Sequence, residues 1–101
     1  MEKLTVTPEE FAKRDSSVQV LDIRGPREFS RGAIKNAVNI YLHDLLSTAE
    51  SRLSKDAPVY VYCGSGPKGK IAANVLLDLG FDAYNVEGGL SAIQRYYEET
   101  S

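Results

Sequence analysis

Short apolar runs alternate with amphipathic stretches along the chain, and glycine, proline or a capping side chain marks the junctions, which is a β-α rhythm. Leu4-Thr5-Val6 is the first run and leads into Thr7-Pro8-Glu9-Glu10-Phe11-Ala12-Lys13. Thr7 can cap the open amides of a helix there, Pro8 suits its first position and Glu10 closes a capping box, so a short helix is predicted. Val18 to Ile23 is a β-branched strand that Gly25-Pro26 stops. Pro26 opens a turn of helix through Phe29, and Gly32 ends it. Ala37-Val38-Asn39-Ile40 reads as a brief strand, followed by a helical stripe of Leu42, Leu45, Leu46, Ala49 and Leu53.

Pro58-Val59-Tyr60-Val61-Tyr62 is the strongest strand signal, apolar or aromatic at every position after the proline, as suits a central strand covered on both faces. It runs straight into Cys63. The loop Cys63-Gly64-Ser65-Gly66-Pro67-Lys68-Gly69 follows, then a helix with Ile71, Ala72, Val75, Leu76 and Leu79 on one face, terminated by Gly80. Ala83-Tyr84-Asn85-Val86 is a last short strand, and Gly88-Gly89 turns into a final helix carrying Leu90, Ile93 and Tyr97. No internal repeat, low-complexity tract or linker interrupts the pattern. The expectation is one α/β domain over residues 1–101, a small parallel sheet with helices on both faces and a radius of gyration of about 13 Å.

Composition narrows the function classes. With 12 Lys+Arg against 14 Asp+Glu, the chain carries a net charge of −2, which argues against a partner held by phosphate charge, so no nucleic acid is expected. No stretch approaches the roughly 20 apolar residues of a membrane span, and the N-terminus lacks a basic segment followed by an apolar run. A soluble, cytoplasmic protein without membrane association is expected. The single cysteine excludes an internal disulfide and a cysteine-based structural metal cage. Whatever Cys63 does, it does as a thiol or after modification.

The position of Cys63 is where an open α/β sheet places its ligands, at the carboxyl edge of a central strand before a glycine-rich loop and a helix. Backbone N–H groups converging in such a loop favour an anion. Gly64, Gly66 and Gly69 relieve the sterics of the unusual dihedrals that a ring of amides demands. The same field, with the charge of Lys68, favours thiolate over thiol, so an exposed, nucleophilic sulfur is predicted. The plainer alternative is a small buried hydrophobe at a strand end, the usual place of a free cysteine.

Three motifs resemble the single-domain rhodanese (thiosulfate sulfurtransferase) family. Leu21-Asp22-Ile23-Arg24 with Glu28-Phe29, Gly32-Ala33-Ile34 and Ala37 looks like that family's first signature. Cys63-Gly64-Ser65-Gly66-Pro67-Lys68 is similar to its active-site loop, and Gly80-Phe81 with Val86-Glu87-Gly88-Gly89 to its C-terminal signature. The chain departs from the family at Ala33, where His is usual, Tyr41 for a common proline, Ile93 for an aromatic residue, and Lys68 for a common Arg. Lysine keeps the charge of arginine but loses its planar fork, and Pro67 removes one amide donor while stiffening the loop.

The resemblance implies five strands and a two-step sulfur transfer. Cys63 attacks the outer sulfur of a thiosulfate-like anion, holds it as a persulfide, and yields it to a thiol or cyanide, or to a protein acceptor. Residues 64–69 form the substrate and persulfide cradle, and no metal, nucleotide or flavin is required. Arg24 either faces the same mouth and steers anionic donors, or is tied up in an ion pair with Asp22 or Glu28. Phosphatase chemistry on a related loop needs an arginine one position further on, where this chain has Gly69; Lys70 comes one position later still and is not bidentate.

His43, opening a helix beside Asp44, reads as a solvated residue rather than a base for Cys63, because no third orienting group accompanies it. The tyrosines, Tyr60, Tyr62, Tyr96 and Tyr97 among them, read as core and rim packing. The rival to an enzyme is a rhodanese-fold protein-binding or sulfur-relay module, to whose partner surface Leu90, Tyr96 and Tyr97 would contribute.

Overall fold

The computed structural model describes residues 4–65 and 67–101. Five parallel strands form one sheet in the order β1-β5-β4-β2-β3: β1 Thr5–Val6, β2 Gln19–Asp22, β3 Val38–Asn39, β4 Val59–Tyr62 and β5 Ala83–Val86. The helices are α1 Pro8–Ala12, α2 Pro26–Arg31, α3 Leu45–Arg52, α4 Lys68–Asp78 and α5 Gly89–Thr100. The radius of gyration is 12.4 Å, as a chain of this length should have. β4 is the central strand, paired with β2 through Leu21 opposite Val61 and with β5 through Val61 opposite Asn85.

Side-chain alternation along β4 assigns the two layers. Val59, Val61 and then Cys63 face α3 and α4, packing with Leu21, Leu45 and Ala72, whereas Tyr60 and Tyr62 face α1 and α5 with Phe11, Val86 and Ile93. The capping box on α1 forms as the sequence predicts: Glu10 N donates to Thr7 Oγ1 at 3.1 Å and Thr7 N to Glu10 Oε1 at 3.0 Å. At the far end of α4, Gly80 takes φ +95°, the left-handed cap that a side chain would resist.

Three details differ from the helical stripes of the sequence. Leu42–Asp44 form a 3₁₀ turn before α3, so the register shifts, and Leu46 is 69% exposed while Leu45 and Ala49 are buried. On α4 the buried stripe is Gly69, Ala72, Ala73 and Leu76, leaving Ile71 53% exposed. A helix this close to the sheet turns its smallest residues inward, which the apolar count alone favoured less. Leu90 and Ile93 are buried on α5, but Tyr97 lies at the exposed rim.

Candidate active site

All five strands point the same way, so their carboxyl ends share one edge of the sheet. From β2 the chain moves outward to β3, and from β4 it moves the other way to β5. The connections therefore diverge between β2 and β4, and a crevice opens where they part. A cleft of about 340 Å³ occupies that place. Its walls are Ile23, Arg24 and Glu28 after β2, Tyr41 and His43 after β3, and Cys63, Ser65 and Lys68 after β4.

Cys63 is 4% exposed and packs into the core layer beneath α4. This corrects the expectation of an exposed sulfur: the strand alternation that aims the thiol at α4 also covers it, so it lies in the floor of the cleft rather than on its rim. The carbonyl of Cys63 accepts from Leu90 N at 2.8 Å and that of Gly64 from Ser91 N at 3.0 Å. The opening amides of α5 thus hold the loop. Because a trans peptide sets N–H opposite C=O, the Gly64 and Ser65 N–H groups point away from α5. Gly89, at φ +64°, makes this approach possible, since a Cβ there would come within 2.6 Å of the Cys63 carbonyl oxygen.

The glycines divide in role. Gly64 lines the cleft without a positive φ and with open space where a Cβ would project, so the left-handed freedom of glycine is not used there. Gly69 is no part of the cleft. It is buried in the first turn of α4, where a Cβ would collide with Oδ1 of the buried Asn85. Its missing side chain serves helix-to-sheet packing. Gly66 lies outside the described residues. Pro67 and Lys68 border the cleft, Lys68 as the first residue of α4 and exposed. Lys70 turns elsewhere, to a separate hollow beside Leu4 and Asn74.

Arg24 borders the cleft and is also committed to an ion pair. Its Nε donates to both oxygens of Asp22 at 3.1 Å, and Nη2 donates to Asp22 Oδ2 at 2.8 Å and to the Gly32 carbonyl at 2.6 Å. The hydrogen bonds to Asp22 raise its pKa further. Tyr62, which precedes Cys63, joins the same network by accepting from Ile34 N at 3.0 Å and donating to Asp22. Burial is the main reason its hydroxyl pKa is pushed up, and the neighbouring carboxylate adds to it.

The rhodanese-like domain pattern matches residues 7–96, almost the whole sequence and all of this site. The chain belongs to the rhodanese-like domain family. The uncharacterized protein YqhL of Bacillus subtilis is 37% identical over 86 residues, covering 84% of this chain and 68% of that protein. The thiosulfate sulfurtransferase GlpE of Pseudomonas aeruginosa is 32% identical over 97 residues, covering 91% and 84%. Among solved structures, a rhodanese-related protein of Thermoplasma volcanium superposes with a TM-score of 0.81 at 30% identity, covering 94% of this chain and 91% of that one. Together these relatives place the chain in a family of sulfurtransferases.

Within this rhodanese-like domain, Cys63, Arg24 and Lys68 border one cleft. Tyr41 and His43 border it as well. His43 is exposed, as expected, but borders the cleft, with its ring 4.8 Å from that of Tyr41. Only the pairing of β3 against β2 brings it there, and no local signal announces that. Leu90 is buried at 7% exposure and adds nothing to a partner surface. Among the described residues no group of His, Cys, Asp or Glu is arranged to hold a metal, and no helix is long and apolar enough to cross a membrane.

Proposed function

We propose that the chain is a sulfurtransferase whose Cys63 carries the transferred sulfur. The observation that carries this reading is the placement of the only cysteine in the floor of a cleft at the carboxyl edge of the central strand, with two loop amides turned away from α5 and Lys68 at the rim. The Cys63 thiolate attacks the outer sulfur of a donor such as thiosulfate. A bond forms between Sγ and that sulfur, the bond to the sulfonate breaks, and its electron pair leaves with sulfite. The Gly64 and Ser65 N–H groups stabilise the anionic outer sulfur of the resulting persulfide. A thiol, as thiolate, or cyanide then attacks that sulfur and takes it as a new persulfide or thiocyanate, and the Cys63 thiolate returns. The electron pairs balance without an oxidant, and no cofactor enters. Burial suits the intermediate, because a covered persulfide meets only acceptors slim enough to enter the cleft.

The test is the intact mass of the protein after incubation with thiosulfate under non-reducing conditions, beside Cys63→Ser. A gain of one sulfur atom by the wild type alone, reversed by dithiothreitol, supports the reading. A folded protein with a reduced thiol and no gain would move the reading to another donor or to a sulfur-relay module that binds a protein.

A further inference from the structure

The described walls of the cleft hold three groups that carry or can acquire positive charge, Arg24, Lys68 and His43, and one carboxylate, Glu28. Arg24 is neutralised by the buried Asp22 at 2.8 Å. Lys68 and Glu28 carry single opposite charges on the same lining and cancel in the count, and Glu28 Oε1 also accepts from the Gly25 amide at 3.3 Å. With a neutral imidazole these side chains therefore leave no net positive charge, and the Cys63 thiolate of the transfer step adds a negative one, which makes a poor site for a dianion; protonation of His43 changes that balance. Histidine is the side chain whose charge changes over about pH 5 to 8.

The position of His43 is fixed rather than incidental. Leu42 N donates to the Ile23 carbonyl at 3.1 Å and Asp44 N to that of Tyr41 at 2.8 Å, which ties the 3₁₀ turn to the end of β2. Leu45, directly after the turn, is anchored in the core, and the tilted ring of Tyr41 limits the imidazole on one side. The charged and titratable groups around it are Tyr41 and Asp44 from its own segment, Arg24 and Glu28 from the β2 side, and Cys63 and Lys68 from the β4 side.

We propose that His43 is a recognition group for the anionic sulfur donor, holding with Lys68 the oxyanion end of a dianion such as thiosulfate when its imidazole is protonated. The inference rests on the sulfurtransferase reading for the identity of the donor, but anion binding is separable from transfer. Linkage fixes the consequence: if protonation of His43 tightens the anion, the anion raises the proton affinity of His43 by the same factor. A tenfold effect on binding corresponds to about one pH unit in the imidazole midpoint.

The chain has a single histidine, so its imidazole proton resonances in an NMR pH titration are those of His43. Cys63→Ser protein, unable to accept sulfur, is titrated in thiosulfate and in sodium chloride of equal ionic strength. The wild type in inorganic sulfate against chloride is the parallel measurement and decides the matter should the variant not fold. The expected result is a midpoint higher by about half a unit or more in the dianion. In the wild-type background, His43→Gln lowers kcat/KM for thiosulfate about threefold or more near pH 6 and by a smaller factor near pH 9. Equal midpoints in dianion and chloride, or a His43→Gln loss independent of pH, overturn the proposal. A raised midpoint with no sulfur gain by the wild type would leave the anion site standing and move the transfer reading to another donor or to a sulfur-relay module. A sulfur gain with equal midpoints would do the reverse.

Discussion

The Asp22 carboxylate is wholly buried and grips the guanidinium of Arg24, two residues on, which is itself only 12% exposed. The backbone N–H of Arg24 donates to Asp22 Oδ1 at 2.9 Å, so the pair also shapes the turn that leaves β2 and forms one wall of the cleft. Removing one partner of a buried pair leaves the other uncompensated, so Arg24→Leu should cost about 3–5 kcal/mol in urea unfolding. Asp22→Asn should cost a comparable amount. The double variant should lose less than the sum of the two, because it strands neither charge; strict additivity would mean the pair is not coupled.

Lys68 stands at the rim while Cys63 lies in the floor, so the two can be separated functionally. Lys68→Ala should lower kcat/KM for thiosulfate about tenfold, the worth of one charge-assisted contact. Alkylation of Cys63 by a neutral reagent should change far less. Equal losses in both would assign Lys68 to the thiol rather than to the donor.

Tyr62 carries a pH dependence of the fold. Its folded pKa is raised above the ordinary 10.0, so the native state holds the hydroxyl proton more tightly than the unfolded chain does. That contribution is complete below about pH 10 and is lost as pH rises through the folded pKa. Thermal melts of the wild type should fall beyond pH 10. Tyr62→Phe strands the Ile34 N–H, so it should be less stable at neutral pH by about 1–3 kcal/mol but show a shallower alkaline decline.

Two glycines of the same loop region should answer alanine differently. Gly69→Ala drives a Cβ into the buried Asn85 side chain and should cost about 1–3 kcal/mol. Gly64→Ala meets nothing within 4 Å and should leave stability within about 0.5 kcal/mol. Denaturant titrations of both variants check the contrast, and any loss of sulfur transfer in Gly64→Ala then belongs to the cleft itself.

Element order, the capping box of Thr7 and Glu10, the central strand Val59–Tyr62 and the strand-end position of Cys63 were legible in the sequence. Each is carried by residues within a few positions of one another, where spacing and backbone preference act directly. The strand order could not be read that way, since it depends on which crossover packs on which face of the sheet. That order alone sets β2 beside β4, so that Asp22 meets Tyr62, Arg24 borders the cleft of Cys63, and the residues after β3 reach its wall.

The same division explains the corrections. Leu46 and Ile71 fit apolar stripes on paper, but a 3₁₀ turn and the close seating of α4 rotated them to solvent. Gly69 read as part of an anion cradle, yet the neighbour that requires it is Asn85, on another element, β5. By itself the sequence determined which segments become strands and helices and which of them ends in the thiol, because those follow from local periodicity. Only the tertiary structure decided how deep that thiol lies and which charges face it, because those follow from contacts between segments that no local spacing records.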